Sequence, residues 1–121
     1  MARGKYKYSG DYREDVLSVL SELLGDDEDV ELGQMMGSPA FYCLTPSGKR
    51  KMFACVYGPG VALKLPREMA DNLIGEAGIE PWAPGRAHVM GGWVLLIRAD
   101  AQDYRDELEL LRLSIDHTSG A

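Results

Sequence analysis

Three stretches decide the fold: Ala40-Phe41-Tyr42-Cys43-Leu44, Gly48-Lys49-Arg50-Lys51-Met52-Phe53-Ala54 and Gly60-Val61-Ala62-Leu63-Lys64-Leu65-Pro66. Each is a short run rich in branched, aromatic or alternating apolar residues, and each is bounded by proline or glycine, as strands are. Pro46-Ser47-Gly48 joins the first two runs, and Gly58-Pro59-Gly60 opens the third. Serine supplies local hydrogen bonds at a reversal and glycine a positive φ at low cost. The stretches therefore predict consecutive antiparallel strands over Ala40–Thr45, Lys51–Tyr57 and Val61–Leu65. In the last of these, Val61, Leu63 and Leu65 share one face and Lys64 points to the other.

Outward from this centre, Val30–Gly37 reads as a preceding strand. Gly92–Arg98, with Trp93, Val94, Leu95, Leu96 and Ile97, reads as a strand that is central or covered on both sides. Tyr12, Val16, Val19, Leu20, Leu23 and Leu24 recur at helical spacing and predict a helix over about 11–24, ended by Gly25. Asp11, Glu14 and Asp15 suit its first turn. Pro66 opens a short helix with Met69, Ala70, Leu73 and Ile74 inward and Gly78 as terminator. Glu80–His88, broken by Pro81, Pro84 and Gly85, reads as irregular, with Trp82 laying the loop over the core. A last helix over about 101–116 is capped by Asp100 and carries Tyr104, Leu108, Leu111 and Ile115 inward. The fold class is α+β: a mainly antiparallel sheet of four to five strands, with N- and C-terminal helices packed on it and one short inserted helix. Residues 1–10 read as a flexible tail, 11–117 as one domain and 118–121 as a flexible end.

The chain has 121 residues, 45% hydrophobic and 26% charged, which suits one soluble domain needing no disulfide or metal. Cys43 and Cys55 are the only cysteines and read as buried structural thiols. With Ser47 and Gly48 central in an even-numbered loop, Cys43 faces Met52, Ala40 faces Cys55, and the two sulfurs lie on opposite faces. An odd-numbered loop puts them on one face. Met1–Gly10 has no apolar segment of the kind a signal peptide needs, and no run approaches the ~20 apolar residues of a membrane helix, so the expected compartment is the reducing cytoplasm.

These residues are similar to the TfoX N-terminal domain family, related in fold to the YjbR/MmcQ-like proteins. Met36-Gly37 stands where that family has Met-Phe-Gly, and Gly48 through Met52-Phe53-Ala54 where it has Gly-Lys-Met-Phe-Ala. Leu63-Lys64-Leu65, Gly78-Ile79-Glu80-Pro81-Trp82 and Met90-Gly91-Gly92-Trp93-Val94 extend the resemblance over about Tyr12–His117. Met36 replaces the aromatic, and Arg50-Lys51 adds charge to the hairpin. The resemblance implies an α+β domain connected with control of DNA-uptake competence, among relatives suggested to bind DNA.

Chemistry leaves little trace in the chain. His88 and His117 are the only histidines, and neither is paired by spacing with a nucleophile. No cysteine or histidine spacing suits zinc, the acidic run lacks the glycine of a calcium loop, and no glycine turn opens a phosphate-binding helix. No catalytic residue, cofactor or metal ligand is expected. Net charge is −6, divided as +3 over Met1–Gly10 and −9 over the rest. Asp26, Asp27, Glu28, Asp29 and Glu31 form an acidic knot. Two binding readings follow. Met35, Met36, Phe41, Tyr42, Tyr57 and Trp82 supply apolar surface for a protein partner or self-association. Lys49, Arg50 and Lys51 at the hairpin tip, with Arg3, Lys5 and Lys7 as an arm, form a phosphate-directed DNA wing that the overall charge opposes.

Overall fold

A computed structural model of the chain describes residues 12–84 and 88–120. The elements run α1 (Glu14–Leu24), β1 (Val30–Met35), β2 (Ser38–Leu44), β3 (Arg50–Tyr57), β4 (Gly60–Lys64), α2 (Arg67–Leu73), β5 (Ile79–Pro81) and β6 (Trp93–Leu96). A 3-10 segment (Ala101–Glu107) then leads into α3 (Leu108–Ser119). The six strands form one sheet in the order β1-β2-β3-β4-β6-β5, antiparallel throughout. The protein is thus α+β, with three α-helices and one strand more than the upper expectation. The additional strand is Ile79–Pro81, inside a stretch read partly as helix terminator and partly as loop. It lies at the edge, where proline costs no ladder bond. Pairing with it moves Trp93–Leu96 to the penultimate position, although both its faces are still covered.

The predicted stripe of α1 is buried through Val16, Val19, Leu20 and Leu24. Asp100 caps as expected, its carboxylate accepting from the Gln102 N–H at 2.9 Å. The first two turns that follow are nonetheless 3-10, and regular α geometry starts at Leu108. Tyr104 pins this segment to the end of β6: its hydroxyl donates to Leu96 O at 2.7 Å and accepts from the Arg98 N–H at 3.1 Å. Helix α3 continues to Ser119, past the expected domain end at 117, and buries Thr118 before Gly120 closes it at φ 79°. Helix α2 stops at Leu73, well short of Gly78.

Two apolar layers close the sheet. The larger joins α1, α3 and the 3-10 segment to Phe41, Cys43, Phe53, Ala54, Val56, Val61, Leu63, Val94 and Leu96. The smaller lies on the other face, where Cys55, Tyr57, Ala62, Trp93 and Leu95 are covered by Trp82. Phe53 and Ala54, although adjacent, both belong to the first layer. A bulge in β3 explains this: Phe41 pairs with Ala54 but Tyr42 with Met52, which leaves Phe53 as the extra residue.

That bulge decides the cysteine geometry. Thr45 N–H donates to Lys49 O at 2.8 Å, so Pro46-Ser47-Gly48 is an odd, three-residue loop with Gly48 at φ 85°. Cys43 consequently pairs with Lys51, not Met52. Taken alone, the odd loop would put both sulfurs on one face. The extra residue at Phe53 reverses the parity again, Ala40 pairs with Cys55, and the thiols lie in opposite layers. The expected separation holds through two compensating departures.

Candidate functional site: the β1 edge and the charged hairpin beside it

Strand β1 is one edge of the sheet, and Met36-Gly37 joins it to β2 in a two-residue turn with φ 53° and 87°. Both central residues being left-handed makes this a type I′ hairpin. Glycine suits the position, whereas methionine pays about 1–2 kcal/mol for it. Met36 is also 63% exposed, so packing does not repay that strain. The closing pair Met35–Ser38 of such a turn is hydrogen-bonded, and the bonding alternates along the ladder. The N–H and C=O groups of Leu32 and the N–H of Gln34 therefore point away from β2, and no strand among the described residues pairs with them. Tyr42, half-buried with its ring across Gly33, donates its hydroxyl to Gln34 O at 3.2 Å. Leu32, midway along the edge, is 50% exposed.

The expected interface residues divide accordingly. Met36 is exposed, Met35 and Tyr42 are half-buried on the hairpin, and Phe41 is buried beneath the helices. Tyr57 and Trp82 are core residues, each 1% exposed, and this corrects their assignment to an interface. Trp82 meets Tyr57 edge-on at 5.5 Å and Trp93 at 4.8 Å between ring centroids, so these aromatics pack against one another. Leu32 was not anticipated. The alternation over Val30–Gly37 does not say which side is covered, and only the strand order reveals that no described helix covers Leu32.

The basic tip is exposed at Lys49, Arg50 and Lys51, but it does not stand alone. Arg50 Nε lies 3.4 Å from Glu31 Oε1, and its Nη1 donates to Asp29 O at 3.2 Å. Leu44 N–H donates to Asp29 O at 3.0 Å, which holds the acidic knot against the hairpin. The acidic run thus meets the basic tip at Arg50, through the Glu31 carboxylate and the Asp29 carbonyl. An exposed pair is worth little in stability, but the local field opposes a phosphate backbone. Arg3, Lys5 and Lys7 lie outside the described residues.

His88 and His117 are both exposed. Burial raises the Cys43 thiol and pushes Cys55 up to about 12, which keeps both protonated and unreactive at neutral pH. Among the described residues no group of three or more histidines, cysteines or carboxylates could hold a metal ion, and no helix is long and apolar enough to cross a membrane. A cleft of about 590 Å³ between the acidic knot and α3 carries Asp27, Asp29, Asp116 and Arg112 over Cys43. It offers charge but no nucleophile–base pair. Comparison of the chain with protein-family models, curated proteins and solved structures finds no match.

Proposed function

We propose that this chain is a non-enzymatic protein-interaction domain, of TfoX N-terminal type, that binds by taking an added strand along β1. The observation that carries the reading is the edge itself: outward N–H and C=O groups at Leu32 and the outward N–H of Gln34, with exposed Leu32 and Met36 beside them. In strand addition the main-chain bonds supply affinity and alternate side chains supply selectivity. An edge left as a liability is ordinarily shortened, given inward charge or protected by lysine. Here it runs for six residues with no lysine in it. The partner is an extended segment of another protein, and the adjoining acidic knot favours a positively charged one. The same knot disfavours two copies pairing edge to edge.

The test uses Leu32→Lys and Leu32→Pro as baits beside the wild-type chain in nuclease-treated lysate, with melting curves to check folding. A protein retained by wild type and lost by both folded variants supports the reading, and identical captures would end it. Light scattering separates a foreign partner from a second copy. The alternative, a DNA-associated regulator with Lys49, Arg50 and Lys51 as a wing, rests on the exposure of those cations. For it, fluorescence anisotropy with duplex DNA at low salt must register binding that Arg50→Ala/Lys51→Ala abolishes.

A further inference from the structure

At the opposite side of the sheet a second surface feature has a different chemistry. A groove of about 460 Å³ opens between α2, β5 and α3. Met69 and Leu73 from α2, Ile79 from β5, and Leu110 and Leu113 from α3 form an apolar floor continuous with the core. Only Ile79 is fully buried, so the others keep part of their surface in water. The rim is acidic: Glu76, Asp106, Glu107 and Glu109.

Among the described residues one cation, Arg98, lines the groove, and its Nε and Nη1 are engaged. Its Nε pairs with Glu107 Oε2 at 2.9 Å, and its Nη1 donates to Ala77 O at 3.0 Å and Ile97 O at 3.3 Å. The sole base of α2, Arg67, lies against Gly91 and not over the groove. Among the described residues Glu76, Asp106 and Glu109 therefore have no ion pair, around side chains whose apolar surface is incompletely covered. A cavity of this volume falls within the range of roughly 300–1,000 Å³ typical of binding sites.

We infer that this groove docks a positively charged peptide segment of a partner protein, one or two bulky apolar side chains seated on Leu73 and Leu110 and flanking lysines or arginines placed against Glu76, Asp106 and Glu109. Charge complementarity selects the occupant: three uncompensated carboxylates repel nucleic acid and acidic peptides, and the floor gives a bare polyamine nothing apolar to bury. The site is separate from the β1 edge and does not depend on it.

The experiment titrates the full chain with a short fluorescein-labelled peptide of alternating lysine and leucine, and with its glutamate–leucine counterpart, by fluorescence anisotropy. The lysine peptide binds and the glutamate peptide does not. Glu76→Gln/Glu109→Gln weakens binding roughly tenfold, as expected for two exposed charge pairs, and Leu73→Asn weakens it comparably with the melting curve preserved. Asp27→Asn/Asp29→Asn, on the distant acidic knot, and Leu32→Lys leave it unchanged. Equal losses from the groove pair and the Asp27/Asp29 pair would mean diffuse attraction to an acidic protein and would overturn the site, as would unchanged affinity in Leu73→Asn. A rise in affinity on Lys5→Glu/Lys7→Glu would mean that the chain's own N-terminal segment fills the groove, and the partner assignment would fall.

Discussion

The two faces of this sheet are closed by different means. One is covered by α1, the 3-10 segment and α3, whose side chains interlock with Phe53, Leu63 and Val94 over a wide area. Among the described residues the other is covered chiefly by the loop residue Trp82, set among Tyr57, Cys55, Ala62, Trp93 and Leu95. Helices bring a stripe of side chains and satisfy their own backbone. A loop brings one anchor and must find partners elsewhere, which Met90 N–H does by donating to Trp82 O at 2.8 Å. The helix face holds most of the buried area, whereas the loop face concentrates its contribution in one indole.

Four measurements test that contrast. Phe53→Ala, on the helix face at the bulge, should cost about 3–5 kcal/mol in urea unfolding. A loss below 1 kcal/mol would mean that the layer is loosely packed. On the loop face, burial raises the Cys55 thiol to about 12. The proton is held more tightly in the folded state, so stability is complete below the ordinary thiol range and falls as pH rises toward 12, by on the order of 2–4 kcal/mol. Melting temperature against pH should show this decline, and Cys55→Ala should flatten it; an identical decline in the variant would put the cause elsewhere. Tyr104, also raised by burial, acts in the same direction.

Ser114 comes next in size. Its hydroxyl lies 2.6 Å from Lys64 O and 3.1 Å from Phe53 O, joining α3 to the sheet at the bulge. Ser114→Ala should cost about 1–3 kcal/mol by leaving a buried acceptor unpaired, read as a shift in urea midpoint at constant slope. Smallest is Trp82→Phe. Among the described residues the buried indole Nε1 has no hydrogen-bond partner, so phenylalanine forfeits some volume but also removes that donor. The net change should stay under about 1.5 kcal/mol, and a larger loss would mean that the nitrogen has a role the packing does not explain.

The same contrast accounts for what could be read from the residues alone. Val16, Val19 and Leu20 repeat at helical spacing, and Val61, Leu63 and Leu65 alternate, so the helix face was legible from local pattern. Ile79–Pro81 was not, because three residues ending in proline carry too little periodicity to announce a strand. Its pairing beside β6 is a matter of chain topology with no local signature. Trp82 was recognised as an anchor over the core, yet it was also assigned to an interface, since nothing in the chain says whether an aromatic meets its own sheet or another protein. The exposure of Leu32 follows from its place on the outermost strand, which local pattern does not reveal. The acidic rim at Glu76, Asp106 and Glu109 is assembled from separated segments, and only the fold brings it together.

Glycine at position 60 marks how closely the chain is threaded, since a Cβ there would collide with the carbonyl of Leu96 on the neighbouring strand. The hairpin tip is more forgiving: nothing lies near the place a Cβ would take at Gly48, and the pairs Leu44–Arg50 and Ala40–Cys55 belong to the ladder and not to the loop. Shortening Pro46-Ser47-Gly48 by one residue would leave a two-residue turn between Thr45 and Lys49, with Arg50, Lys51 and Met52 on their present sides and Phe53 still in the core. Length variation at this tip is thus absorbed outside the ladder.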